Sequence, residues 1–443
     1  MDVAQAYNWT NPNVSFSRVF IGAAVMNFPN YIPRFIQDRL DEVLTDSPVV
    51  LIHGPRQSGK TTLARHHGEE KGYRYYSFDD EAVRSAADDD PAGFVAGLPD
   101  RVILDEVQLV PRLFSAIKLA VDRDRVPGRF IMTGSANVLL IPRISESLAG
   151  RMAIIGLHPL SRCEILGRKS AFIDDLFSGA DMMHKATRLG DEIASIVAAG
   201  GYPTALSRRN DARRVEWYRD YVETIAKRDI RELTRIREVE ALPRLMELAA
   251  AQTAQLFNLA DLAGPFRLSR PTIGDYVTLL ENVFLIYRMP PWFSNRLSRL
   301  IKTPKLHLGD TGVAAAVLDL TPDMLREDRT TLGHFLETYV VQELRRQVSW
   351  SADRVRFHHF RNKDGAEVDI VLEGVGRKTA GVEVKLSGTV VAKDFRGLKK
   401  LREAVGDRFT AGVVLYDGED SVPFGDGLAA VPLNRLWTRD EGA

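Results

Sequence analysis

Val49-Val-Leu-Ile-His-Gly54-Pro55-Arg56-Gln57-Ser58-Gly59-Lys60-Thr61-Thr62 joins four apolar residues to the pattern Gly-x-x-x-x-Gly-Lys-Thr. Val49 to Ile52 predict a buried strand and Thr61 to His67 a helical stretch. The pattern therefore stands between strand and helix, the setting a phosphate-binding loop requires. Gly54 and Gly59 let the backbone curl so that successive N–H groups face one anion, and the helix N-terminus adds its dipole. Pro55, Arg56, Gln57, Ser58 and Thr62 complete the expected nucleotide cradle. Lys60 is expected to reach the β- and γ-phosphates of ATP, and the Thr61 hydroxyl to bind Mg²⁺.

A second acidic stretch supplies the rest of that chemistry. Arg101-Val-Ile-Leu-Asp105-Glu106 reads as a short buried strand with two carboxylates at its C-terminal end, where ligands of open α/β sheets sit. Asp105 is expected in the Mg²⁺ shell and Glu106 as the group that activates water. Phe130-Ile-Met-Thr133-Gly134-Ser135 is a further strand ending in hydroxyls, with Ser135 and Thr133 as candidate γ-phosphate sensors and Asn137 behind them. Arg151, just before the apolar strand Met152 to Leu157, is a surface residue or an arginine finger.

The remaining bulk properties are ordinary. A chain of 443 residues exceeds one core, so several domains are expected, and 45% apolar and 27% charged residues fit a soluble globular protein. The net charge is zero and argues neither for nor against nucleic acid. A single cysteine, Cys163, excludes an internal disulfide, fits the reducing cytoplasm and reads as a small buried hydrophobe. No apolar run is long enough to span a membrane. Residues 1–30 read as a disordered leader, or as an upstream mis-start with Met26 as initiator.

Tyr31-Ile-Pro-Arg34, the Gly54 loop, Leu104-Asp-Glu-Val-Gln108, Thr133-Gly-Ser-Ala and Leu148-Ala-Gly-Arg151 occur in this order. Together they resemble a family of bacterial and archaeal AAA+-type ATPases that carry an uncharacterised C-terminal domain. The resemblance implies a core over 31–160 with five parallel strands and the phosphate-loop strand in the middle. It also gives Glu106 the water-activating place, Ser135 the sensor place and Arg151 the family's arginine.

Residues 161–240 are helical in character and read as a lid and connector, with the charged run Lys227 to Ile230 as a solvated face. Residues 241–310 change grammar: a helix (Leu245 to Phe257), a short helix (Asn258 to Ala263), a third opened by Ser269-Arg-Pro271, then two strands. That order resembles a winged helix-turn-helix, and Arg296, Arg299, Lys302 and Lys305 form a basic wing suited to DNA phosphates. Residues 201–310 hold 18 Lys/Arg against 13 Asp/Glu, a modest excess that leaves a DNA or a protein partner equally open.

In 330–435 an amphipathic helix (His334 to Val348) precedes strands Val355 to Phe360, Glu367 to Leu372 and Gly381 to Leu386, then a helix and a strand. Asp369, with Glu383-x-Lys385 on the next strand, resembles the PD-(D/E)XK nuclease superfamily. That resemblance implies Mg²⁺ held by Asp369, Glu383 and Glu337, with Lys385 supporting catalysis; no Pro precedes Asp369. The expectation is an α/β multidomain, Mg²⁺-dependent ATPase, able to oligomerise, that couples its nucleotide state to a DNA-binding, nuclease-like module. The alternative is an ATP-gated DNA- or protein-binding switch whose nuclease-like domain is inactive.

Overall fold

The computed structural model describes residues 16–21, 24–29, 31–135, 148–179, 182–226, 241–259, 266, 269–293, 303–351 and 353–438. Asn137, Lys227 to Ile230, most of the predicted 258–263 helix, Arg296, Arg299 and Lys302 lie outside the described residues. The rest divides between two compact units, one within 33–160 and 282–284, the other within 1–32, 161–281 and 285–443. No helix among the described residues is long and apolar enough to cross a membrane.

Within the expected disordered leader, β1 (Phe16–Ile21) and β2 (Ala24–Pro29) pair as an antiparallel hairpin. Both contain Val and Phe, which favour extended backbone.

The unit at 33–160 runs α1 (Gln37–Leu44), β3 (Val49–His53), α2 (Lys60–Glu69), β4 (Arg74–Ser77), α3 (Glu81–Asp89), α4 (Pro91–Ala96), β5 (Val102–Asp105), α5 (Leu113–Arg123), β6 (Phe130–Gly134) and β7 (Met152–Gly156). Its strands are all parallel, in the order β4-β5-β6-β3-β7. The phosphate-loop strand β3 is thus interior but fourth of five, not central as expected. Val49 to Ile52 are fully buried, as are Val102 and Leu104, which is why these strands read as unbroken apolar runs. The polar, acidic stretch between β4 and β5 holds two helices, α3 and α4. The Asp80 carboxylate accepts from Ala82 and Val83 N–H, and Asp90 from Gly93 N–H with Pro91 in the first turn.

The other unit continues with α6 (Arg162–Leu166), α7 (Phe172–Ser178), α8 (Glu192–Ala199), α9 (Pro203–Leu206), α10 (Asp211–Thr224), α11 (Ala241–Ala251), β8 (Gln255–Leu256), α12 (Arg270–Asn282), β9 (Ile286–Met289) and β10 (Lys305–Leu308). Strands β8, β10 and β9 form an antiparallel sheet with β10 in the centre. Next come α13 (Thr311–Val317), α14 (Pro322–Glu327), α15 (Arg329–Trp350), β11 (Arg356–Arg361), β12 (Glu367–Glu373), β13 (Thr379–Lys385), α16 (Arg396–Val405), β14 (Phe409–Tyr416), β15 (Val422–Pro423) and β16 (Leu428–Pro432). They build a mixed sheet in the order β11-β12-β13-β14-β16-β15, antiparallel through β13 and parallel from β13 to β14 and β16.

Helix α15 is buried on nearly every side and not amphipathic as expected, because it packs on α8 as well as on β13. Its polar residues are paired inside. Arg346 bonds Glu343 at 2.7 Å and Asp310 at 3.1 Å, Glu343 accepts from Arg162 N–H at 2.9 Å, and Gln342 donates to the Leu308 carbonyl at 2.9 Å. Asp310 also accepts from Gly201 N–H at 2.9 Å. These buried bonds tie the segments expected at 161–240, 241–310 and 330–435 into one unit.

Candidate active site

The turn after β3 is built as its glycines require. A Cβ at Gly54 would lie 2.0 Å from the Leu157 carbonyl oxygen, and Gly59 takes a left-handed φ of 96° where α2 begins. Arg34 braces the loop from behind, donating to the Ser58 carbonyl at 2.8 Å and the His158 carbonyl at 2.6 Å. The buried Lys60 ammonium bonds the Gly54 and Pro55 carbonyls at 3.0 and 2.9 Å, so it is held inside the curl of the loop. Gln57 and Thr62 are exposed, Arg56 is half-buried, and Pro55 and Ser58 are buried. His53, at the end of β3, has its pKa lowered to about 4 by burial and by Lys60, and is neutral near pH 7.

The sheet brings the predicted acidic and hydroxyl residues together at the same edge. Thr61 Oγ1 donates to Asp105 Oδ1 at 2.9 Å, Thr133 Oγ1 bonds the same oxygen, and the Tyr75 hydroxyl donates to Oδ2 at 2.8 Å. Burial and that bond raise the Tyr75 phenol to about 12. Glu106 sits in left-handed backbone (φ 57°, ψ 46°). Its N–H donates to Thr133 Oγ1 at 3.2 Å, and its Oε2 accepts from Ser135 Oγ at 2.8 Å and from Gln108. A hydroxyl and a carboxylate in contact are the hard oxygen donors that Mg²⁺ takes, so Thr61 and Asp105 fit the ion.

Arg151 is not part of this cluster. Met152 pairs with Val49 and Gly156 with His53, so Arg151 lies at the N-terminal edge of the sheet and the loop at the opposite one. The five residues of each strand separate the two levels by roughly 20 Å. The guanidinium instead bonds Asp122 at 2.5 Å and the Ala149 carbonyl at 3.1 Å. The parallel sense of β7 thus puts Arg151 at the end of the sheet away from the loop of its own chain. In dilute protein, Arg151→Ala is expected to change steady-state phosphate release less than about threefold, since its guanidinium is paired with the exposed Asp122 at the end of the sheet away from the loop. A loss near 10³-fold there would place the guanidinium at the γ-phosphate after all.

The C-terminal residues also meet, in an arrangement unlike the expected metal centre. Lys305 Nζ lies 2.9 Å from Glu337, 3.1 Å from Glu367 and 3.2 Å from Asp369. Asp369 Oδ2 accepts from Val384 N–H at 3.0 Å, and Lys385 pairs with Glu383 at 2.9 Å. Burial and the neighbouring Asp369 raise the pKa of both Glu337 and Glu383, the latter to about 8. Among the described residues no three His, Cys, Asp or Glu side chains are grouped to hold a metal ion. Where Glu337, Asp369 and Glu383 were expected as metal ligands, the Lys305 ammonium lies between Glu337 and Asp369, and Lys385 lies beside Glu383. Lys305 itself, expected in a basic wing facing phosphate, is buried.

Three residues of these sites have no role in the sequence reading, and a fourth, Lys305, has a different one. Arg34 and Gln108 stand inside the quoted motifs. Tyr75 gave no signal, and Lys305 gave a misleading one.

The fold and the site define a P-loop ATPase of the AAA type. Residues 46–166 match the family model described as an AAA domain, and 190–324 and 332–436 match two domains of unknown function, DUF8612 and DUF4143. An uncharacterised protein of Mycobacterium tuberculosis is 30% identical over 405 residues, which cover 90% of this chain and 83% of that protein; the Mycobacterium bovis protein gives the same values. The chain belongs to the family these proteins form. A Walker-type ATPase of Pyrococcus abyssi is 14% identical, covering 65% of this chain and 96% of its own, with a TM-score of 0.41.

Proposed function

We propose that the protein binds ATP with Mg²⁺, hydrolyses it, and uses its nucleotide state to control a C-terminal region that binds DNA without cutting it. The observation that carries the ATPase reading is the joined set Thr61–Asp105–Thr133 and Glu106–Ser135 beside the loop. Mg²⁺, when bound with ATP, neutralises charge on the β- and γ-phosphate oxygens, and Thr61 and Asp105 would hold it. Lys60 leaves the loop carbonyls for phosphate. Glu106 orients the attacking water and accepts its proton, and Ser135 and Gln108 hold that carboxylate in place until then.

The order α11, β8, α12, β9, β10, with β10 between β8 and β9, supports a winged helix-turn-helix. The order α15, β11, β12, β13, α16, β14, antiparallel and then parallel, supports a restriction-endonuclease-like domain. Lys305 among the carboxylates favours the non-cutting form of that domain over an active nuclease. Plasmid and single-stranded DNA incubated with the protein and Mg²⁺ or Mn²⁺, with and without ATP, are expected to remain intact. DNA mobility is expected to shift in a way that depends on ATP. Cleavage that disappears in Glu383→Ala/Lys385→Ala would overturn the non-cutting reading.

A further inference from the structure

We infer that Lys305 is the resident cation of the C-terminal carboxylate cluster, standing where a nuclease of this fold would keep its metal ion. The inference rests on the restriction-endonuclease-like reading of α15 to β14. It names what occupies that site and which strand supplies it.

The placement is built into the backbone. Lys305 lies on β10, the central strand of its sheet, paired with Met289 on one side and Leu256 on the other. His307, two residues on and therefore on the same strand face, bonds Thr338 Oγ1 at 3.0 Å, beside Glu337 on α15. Thr338 also bonds Thr253 at 2.8 Å, and the Thr303 carbonyl lies 3.2 Å from His359 Nε2 on β11. The Lys305 side chain is 4% exposed. Such a lysine has not folded back from the surface; α15, β10 and β11 hold its backbone over the cluster.

The oxygens are also accounted for. Asp369 gives Oδ1 to Lys305 and Oδ2 to Val384 N–H, Glu337 gives Oε1 to Lys305, and Glu383 gives Oε1 to Lys385. A divalent ion bound here would share its ligands with an ammonium at hydrogen-bond distance from them, so the two cations exclude each other. Removing the lysine alone would leave Glu337 and Asp369 in a poorly hydrated interior with Glu367 at its edge, whereas removing charges of both signs together is tolerated far better.

The test uses the full chain without nucleotide or DNA and reads thermal melting and Mn²⁺ binding by electron paramagnetic resonance. In the parent, Mn²⁺ is expected to produce no binding signal or melting shift that Asp369→Asn removes. Lys305→Met should lower the melting temperature by about 6–10 °C and create a Mn²⁺ site that recovers part of the loss. Adding Glu337→Gln and Glu367→Gln to Lys305→Met should restore melting close to the parent. This holds even where the single variant fails to fold. A parent Mn²⁺ site lost in Asp369→Asn, a Lys305→Met that melts like the parent, or a triple variant no better than the single one would each overturn the inference. Failure to bind DNA would remove the functional reading and move none of these readouts.

Discussion

Replacing Lys60 with alanine is expected to weaken ATP binding by more than about 100-fold and to abolish phosphate release. The ammonium is the cation inside the loop, already fixed to the Gly54 and Pro55 carbonyls 3.0 and 2.9 Å away. Arriving phosphate exchanges those neutral acceptors for charged oxygens. Charge-assisted bonds of this kind contribute roughly 3 kcal/mol, which is where the factor of about 100 comes from. Alanine keeps the helix start, so Gly54, Gly59 and the Arg34 brace remain intact and melting should change little. Titration calorimetry with ATP measures the effect. Affinity within threefold of the parent would show that the loop does not hold the phosphates through Lys60.

Glu106→Gln separates binding from chemistry. Glutamine keeps the length of the side chain and can still accept from Ser135 Oγ, which bonds Glu106 at 2.8 Å, so ATP should bind as in the parent. What disappears is the carboxylate that accepts the proton of the attacking water. General-base catalysis contributes about 10²–10⁴-fold, so single-turnover hydrolysis should slow by at least about 100-fold while affinity holds. Turnover within threefold of the parent would assign the base elsewhere.

The ATPase site was legible because its parts are local. Gly54 to Thr62 is contiguous, and Asp105, Glu106 and Ser135 each close a short apolar strand, so strand and ligand announce each other. The position of Arg151 was not legible. Motif order places it after the loop, but only the parallel pairing of β7 with β3 decides at which end of the sheet it stands. The C-terminal site divided in the same way. Asp369, Glu383 and Lys385 are spaced along adjacent strands and could be grouped from sequence, whereas Lys305 belongs to a strand 64 residues before Asp369. Among Arg296, Arg299 and Lys302 it looked like one more solvated base. Pairing over such a separation is a property of the tertiary fold, and composition carries no trace of it. The all-round burial of α15 escaped notice for the same reason: Gln342, Glu343, Arg346 and Gln347 look like a wet face until their distant partners are known.

The ammonium of Lys305 and the carboxylates of Glu337, Glu367 and Asp369 lie in stretches that match separate family models, 190–324 and 332–436. A gene encoding only the second stretch would produce a domain whose interior carries surplus negative charge with no counterpart. A graft of either stretch without the other is therefore expected to be less stable than a graft of both together. The seam between residues 324 and 332 separates two matched stretches, yet Lys305 on one side and Glu337, Glu367 and Asp369 on the other form one charge-paired cluster.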